Sequence, residues 1–374
     1  MTNVHGFCDE RFRPLEEAFR RNLDSGLDTG ASLAVTLGDE FVVDLWGGTR
    51  DYEMAVPWEA DTVVRVFSTS KVMVMITVLL LVDRGLLDLD APIAQYWPEV
   101  ATHDNGAITA RHVHVHRSRR PGVGRSVSFD ELADWSNTIE IIEDASLWYE
   151  PGTISCYHPQ TFGYVLGELV RRVTALPFED FFRREIATPL GADFLFDCPT
   201  DQATRVAALW PPDGAPDIES PMGAAVMNEL AAIGEWIDPA KLPTVMPAAG
   251  GVTNARALAR VGQMVALEGE VDGRRYLSPS IIARAAAEQS FAEDEVVGWV
   301  RLGLGFGLHS DDYPAPTKTT MHWGGYGGSF LTMDPASGIS CGYAQSRLLL
   351  DGGPFSDRRR VEFWRLLGEI TDTL

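Results

Sequence analysis

The sequence predicts an α+β fold, with an antiparallel sheet flanked by helices and joined to a mainly helical lobe. Three observations carry this. Strand texture with turn signals lies near both ends of the 374-residue chain, around 30–48 and again after about 300. Between roughly 130 and 285 the apolar spacing is mainly helical. No internal repeat or low-complexity linker separates the textures, so the two ends are expected to complete one sheet beside the helical insert. We place the sheet domain at 1–60 and 291–374, the helical domain at 61–290, and a ligand site between them.

The elements follow in order. In ERFRPLEEAFRRNLD, residues 10–24, Phe12, Leu15, Phe19 and Leu23 recur at helical spacing. GASLAVTLGDEFVVDLWGG reads as two strands joined at Gly38-Asp39. Residues 68–84 read as a strong helix that stops at Gly85, and Pro92 and Pro98 punctuate the stretch after it. Residues 160–174 form an amphipathic helix, and 254–267 form another, capped by Thr253 or Asn254. RLGLGFGLHS, GGSFLTMD and GISCGYAQSR return to strand, and 357–372 close the chain as a helix.

Composition narrows the classes. Hydrophobic residues at 45% and charged residues at 22% suit a globular protein, so disorder is not the default. A net charge of −22 disfavours nucleic acid and anionic membrane surfaces as partners, without identifying a substrate. Cys8, Cys156, Cys198 and Cys341 are widely spaced and form no C-x-x-C pair; they read as free, mostly buried thiols in a reducing compartment. The start MTNVHGFCDERF lacks the pattern of a signal peptide, and the longest apolar run, 72–82, is too short to span a bilayer. A cytoplasmic protein is expected; its oligomeric state is not legible.

Lysine occurs only at 71, 241 and 318, and only Lys71 has a serine three residues before it. On a helix, residues i and i+3 share a face, so the Lys71 amine reaches the Ser68 hydroxyl. A serine hydroxyl needs a base to become a nucleophile. A lysine opening the run VMVMITVLLLV is desolvated, which lowers its pKa and fits it to that work. The helix N-terminus adds backbone N–H groups for a developing oxyanion. Tyr157, in PGTISCYHPQ just before the amphipathic helix, is a second proton-handling candidate. Trp323-Gly324-Gly325-Tyr326-Gly327-Gly328-Ser329 allows close backbone approach, and a strand edge there offers a second oxyanion donor.

Together these elements resemble the serine β-lactamase and penicillin-binding-protein superfamily, and in detail its class C β-lactamase-like esterases, the family VIII carboxylesterases. The resemblance runs from about residue 30 to 346. Ser68-x-x-Lys71 matches the nucleophile motif, Tyr157 the tyrosine of Y-x-N, and Trp323-Gly324-Gly325 the third motif, K-T-G in lactamases. GLLDLDAPIAQYWPE and PAAGGVTNARALARVGQM also look familial. The resemblance implies Ser68, Lys71 and Tyr157 as catalytic residues, the backbone of Ser68 and Tyr326 as oxyanion hole, and Trp323, Gly324 and Gly325 as substrate-binding residues. Departures bear on selectivity. Pro159 stands where the family has an amide and Trp323 where lactamases have a cation, which favours neutral, short-chain esters. Lys318-Thr319-Thr320 lacks the glycine of K-T-G. In RHVHVHRSRR, residues 111–120, His112 and His116 match familial histidines, while Arg119 replaces a usual glycine.

The expected function is ester hydrolysis through an acyl-enzyme on Ser68, on a small-molecule ester and with no cofactor. Which of Lys71 and Tyr157 is the formal base stays open. The alternatives are an acyltransferase of the same fold, a β-lactamase or D-alanyl peptidase, and a non-catalytic binding protein. His112, His114 and His116 alternate as metal ligands on a strand would, but no carboxylate or cysteine nearby completes a site. No G-x-S-x-G elbow, Walker motif or dinucleotide fingerprint is present.

Overall fold

A computed structural model describes residues 2–374 except 119, 215–216, 231–232, 239–240, 243 and 352–356, and gives no side-chain detail for 102–106 and 233. Arg119 thus lies outside the described residues. Nine strands form one antiparallel sheet: β1 (Val4–Cys8), β2 (Gly30–Leu37), β3 (Glu40–Gly48), β4 (Ser290–Asp294), β5 (Gly298–Leu302), β6 (Gly307–Leu308), β7 (Met321–Gly324), β8 (Phe330–Asp334) and β9 (Ile339–Gln345). Their spatial order is β1-β3-β2-β9-β8-β7-β6-β5-β4. The chain's two ends meet at its centre, where β2 pairs β9 from Leu37↔Ile339 to Ala31↔Gln345. Strands β1 and β4, both at the sheet edges, are additions to the sequence reading; they are short and have no clean apolar alternation.

The period of two on β2 decides what covers each face. Ala31, Leu33 and Val35 pack with Phe12, Phe19, Phe363 and Leu367 of the helical segments at the two chain ends, which include α1 (Arg13–Asp24). Ala34 packs on the other face against Ala255 and Ala259. These belong to a helix at Ala255–Ala266, capped by the Asn254 side chain on the Ala257 amide at 2.9 Å. That helix lies close because Gly342 is bare: a Cβ there would sit 2.6 Å from the Ala255 carbonyl.

The apolar run of the sequence is α2 (Ser70–Asp83), preceded by a 3-10 turn at Phe67–Thr69. Residues 70–81 are all buried, so α2 is a central helix with no solvent face. It ends as Gly85 implies, with φ +69° and bonds from the Gly85 and Leu86 amides to Val82 and Leu81 carbonyls. The amphipathic helix, α3 (Thr161–Thr174), packs on α2. Among the described residues, no helix is long and apolar enough to cross a membrane. The cysteines are free, with Cys156, Cys198 and Cys341 buried.

Candidate active site

Ser68 lies in the 3-10 turn rather than in α2 itself. Phe67 before it has φ +46°, a left-handed backbone that an L side chain adopts only under constraint. The constraint is visible around it. The Val66 amide bonds the Gly251 carbonyl at 2.9 Å, and the Gly251 amide bonds Ser70 Oγ at 3.0 Å. The i, i+3 argument therefore holds across a tighter turn than a helix, and Lys71 Nζ lies 3.1 Å from Ser68 Oγ.

Lys71 is fully buried. Its amine also donates to the carbonyls of Pro159 at 2.8 Å and Ala248 at 3.1 Å, and it stands over the Tyr157 ring, 4.7 Å from the centroid. Burial drives its pKa well below the usual ammonium range. A neutral amine has two N–H groups and one lone pair. The two carbonyls take the two N–H groups, which leaves the lone pair for the Ser68 hydroxyl.

The Tyr157 hydroxyl donates to Ser68 Oγ at 2.6 Å from the opposite side. Burial raises its pKa, partly offset by hydrogen bonds to Ser68 and Trp323, while the nearby Asp294 carboxylate adds to the rise. Tyr157 is thus held as a neutral phenol. Its segment, 154–158, belongs to no helix or strand, so its backbone must be fixed from outside. Asp294 Oδ1 accepts the Tyr157 amide at 3.0 Å and those of Val296 and Val297 at 2.9 and 3.2 Å; Oδ2 accepts the Ser155 hydroxyl at 2.8 Å. On the other side, the His116 carbonyl accepts the Cys156 amide at 3.0 Å and His116 Nδ1 accepts the His158 amide at 3.2 Å. The His116 ring meets the Tyr157 ring edge-on at 4.8 Å. Burial keeps His116 and His158 neutral, with the His158 pKa near 3.

The glycine-rich stretch is a hairpin turn. Trp323 and Gly324 end β7, and 325–329 lead into β8. The turn docks on the segment that carries Ser68: Ser329 Oγ donates to the Val66 carbonyl at 2.8 Å and contacts Thr69 Oγ1 at 2.9 Å. A Cβ on Gly325 would lie 2.2 Å from the Val66 carbonyl oxygen, so only glycine fits. The Tyr326 ring packs on Phe67, centroids 5.7 Å apart. Behind the turn, the Gly327 carbonyl accepts from Arg359 Nη2 at 2.7 Å and Gln345 Nε2 at 2.8 Å. Arg359 lies in the first turn of the last helix, Arg358–Thr371, and is buried between Asp28 and Asp357 at 2.6 and 2.5 Å.

The structure thus brings together Ser68, Lys71, Tyr157 and Trp323, with Gly324, Gly325 and Tyr326 beside them. Sequence reasoning did not find Asp294, His116 or Arg359 as supports. His116 lay in a stretch already singled out; Asp294 and Arg359 had no local signal. Residues 110–114 form a short helix rather than a strand, which breaks the one-face alternation of the histidines. Among the described residues, no group of three or more His, Cys, Asp or Glu side chains is placed to hold a metal ion. Lys318 is exposed, in the turn before β7.

Known proteins resemble this chain over most of its length. The beta-lactamase family description matches residues 19–362. An esterase/beta-lactamase of Mycobacterium tuberculosis, LipL, is 32% identical over 370 residues, covering 92% of this chain and 83% of that protein. Esterase EstB of Burkholderia gladioli is 28% identical, covering 87% and 88%. Among solved structures, a family VIII carboxylesterase superposes with a TM-score of 0.90 at 30% identity, over 98% of this chain and 100% of that one. A penicillin-binding-protein homologue from Caulobacter crescentus gives 0.92 at 30%, over 99% and 100%. The chain belongs to the beta-lactamase family.

Proposed function

We propose that the protein is a serine hydrolase of neutral carboxylic esters, acting through an acyl-enzyme on Ser68. One observation carries the reading: Ser68 Oγ sits between a desolvated amine whose N–H groups are already engaged and a neutral phenol that donates to it. Ser68 Oγ attacks the ester carbonyl as its proton passes to the Lys71 lone pair. The carbonyl oxygen takes the displaced electron pair and is received by the Ser68 and Tyr326 amides. When the tetrahedral adduct collapses, the C–O bond to the alcohol breaks. The alkoxide leaves with a proton from the coupled Lys71–Tyr157 pair. Water then attacks the acyl-enzyme by the reverse sequence. The opposite pKa directions support Lys71 as the base and Tyr157 as the donor in the ground state.

Selectivity follows from what faces the nucleophile. Trp323 offers an apolar wall and an indole N–H directed at Tyr157, with nothing to pair a substrate carboxylate. Pro159 contributes only a carbonyl, already used by Lys71. A carboxylate brought here is desolvated without compensation, which disfavours anionic lactams and peptide termini. Parallel assays with p-nitrophenyl acetate and butyrate, nitrocefin, and an added alcohol acceptor separate hydrolase, lactamase and acyltransferase. Hydrolysis of the esters, with fluorophosphonate labelling at Ser68 and loss of both in Ser68→Ala, is expected. Labelling elsewhere, or full activity in that variant, refutes the mechanism. A wild-type protein cleaving penicillin G as efficiently as p-nitrophenyl butyrate refutes the selectivity.

A further inference from the structure

The two amides that receive the oxyanion in the proposed mechanism belong to segments far apart in the chain. Ser68 lies in the 3-10 turn at Phe67–Thr69, and Tyr326 in the glycine-rich turn before β8. Tertiary contacts must therefore set their separation. Ser329 makes such contacts from both its backbone and its side chain. Its carbonyl accepts the Gly325 amide at 2.7 Å, which closes the turn around Tyr326. Its hydroxyl donates to the Val66 carbonyl at 2.8 Å and meets the Thr69 hydroxyl at 2.9 Å, across 260 residues of chain.

The chemistry gives the contact a direction. A serine hydroxyl has one hydrogen, and that of Ser329 is committed to Val66. Toward Thr69 it can only accept, so the chain runs from the Thr69 hydroxyl through Ser329 to the Val66 carbonyl. Each hydrogen bond in such a chain polarises the next. Val66, Thr69 and Ser329 are all buried, so a broken link finds no solvent partner. The Val66 carbonyl also accepts the Thr69 amide at 3.2 Å, and it stands directly before Phe67 with its φ of +46°. A strained residue persists only where its surroundings hold it. The Thr69–Ser329 pair supplies part of that hold, at the residue next to Ser68. There is little slack, because a Cβ on Gly325 would lie 2.3 Å from Ser329 Oγ and 3.0 Å from Thr69 Oγ1.

Resting on the esterase reading, we propose that Thr69 and Ser329 are positioning residues, whose hydroxyls set the spacing of the Ser68 and Tyr326 amides. Such donors work at about 2.7–3.1 Å from the place the oxyanion will occupy, so displacing them acts on kcat more than on KM. The test measures p-nitrophenyl butyrate hydrolysis and the binding of butylboronic acid. The boronate adds to a serine hydroxyl as a tetrahedral anion, which loads the hole without turnover, and Ser68→Ala is its control. Ser329→Ala breaks both links; it should lower kcat at least about tenfold with KM within about twofold, and weaken boronate binding at least about tenfold. Thr69→Val keeps the shape and loses the hydroxyl; it should lose at least about threefold in kcat, and Thr69→Ser should recover it. In a Ser329→Ala background Thr69→Val should cost nothing further, because the partner is already gone. A packing role would make Thr69→Ser as poor as Thr69→Val, and that result overturns the proposal. So does an unchanged kcat in Ser329→Ala, a loss carried by KM, or additive losses in the double variant. Wild type that binds no boronate, or Ser329→Ala that binds it equally, also overturns it. A wild-type protein that cleaves no ester, yet binds the boronate through Ser68 and loses that binding in Ser329→Ala, would instead refute the esterase reading alone.

Discussion

Two cations are buried in this molecule under opposite regimes. Arg359 lies between the carboxylates of Asp28 and Asp357, and its pKa is pushed above the ordinary arginine value. Lys71 meets carbonyl and hydroxyl oxygens and the Tyr157 ring, with no carboxylate among its hydrogen-bond partners, and its pKa is pushed down. Both are removed from water. The difference is the counter-charge. A compensated cation keeps its proton and becomes a fixed strut, here beneath the glycine-rich turn. An uncompensated one is driven to lose its proton, which fits it for the work of a base.

The largest effect should come from breaking the strut. Arg359→Met leaves two buried carboxylates facing an apolar side chain and should cost about 3–5 kcal/mol of stability, measured by urea unfolding. A loss under 1 kcal/mol would mean that the cluster is not the anchor described. Next, Lys71→Met should lower kcat by at least about a hundredfold, as loss of a general base does. Tyr157→Phe should do likewise, and the double variant should be far from additive, because the two groups act as one unit. A Tyr157→Phe enzyme with normal kcat would leave the proton traffic to Lys71 alone.

The electrostatics also set a pH profile. In the proposed mechanism Lys71 works deprotonated; its pKa is lowered, whereas that of Tyr157 is raised. kcat/KM should therefore rise with pH through one ionisation below the ordinary lysine value of about 10.4, then stay level to about pH 9.5. A falling limb below pH 9 would show Tyr157 ionising and overturn its assignment as a neutral donor. Asp294→Ala, which frees the Tyr157 amide, should lower kcat by about tenfold with KM nearly constant, and Asp294→Asn, which keeps an acceptor, should recover most of it. Equal losses in kcat and stability from both variants would make Asp294 a structural residue only.

The smallest effect is thermodynamic. In the unfolded chain Lys71 holds its proton up to about pH 10.4; in the fold it sheds it at lower pH. Between those values the unfolded state binds more protons, so stability rises with pH. The unfolding free energy of wild type relative to Lys71→Met should increase from pH 7 to pH 10. A constant difference would show that Lys71 keeps its proton when buried.

Legibility tracked sequence distance. Ser68 and Lys71 were readable because a three-residue spacing and the rarity of lysine are local facts. The core helices were readable for the same reason, through their periodicity. Tyr157 and the glycine turn needed the ordered resemblance, since each alone suits an ordinary turn. The Asp294–Tyr157 bond joins residues 137 apart, and Arg359 reaches Asp28 across 331. Nothing near either acidic residue marks it, because its partner is supplied only by the tertiary fold. The helix start also differed: the strained Phe67 places Ser68 in a 3-10 turn, a detail set by Gly251 and the docked glycine turn rather than by propensity.

The pairing of β2 with β9 has a consequence for biosynthesis. The strand at residues 31–37 leaves the ribosome long before its neighbour at the sheet centre, 339–345, is made. Until then, α2, with no polar face, and one edge of β2 lack their final cover. Contacts of such sequence separation close slowly and leave sticky surface exposed meanwhile. The nascent chain must hold that edge and that helix uncovered until the later strand emerges, and during this interval it presents the surfaces that chaperones shield.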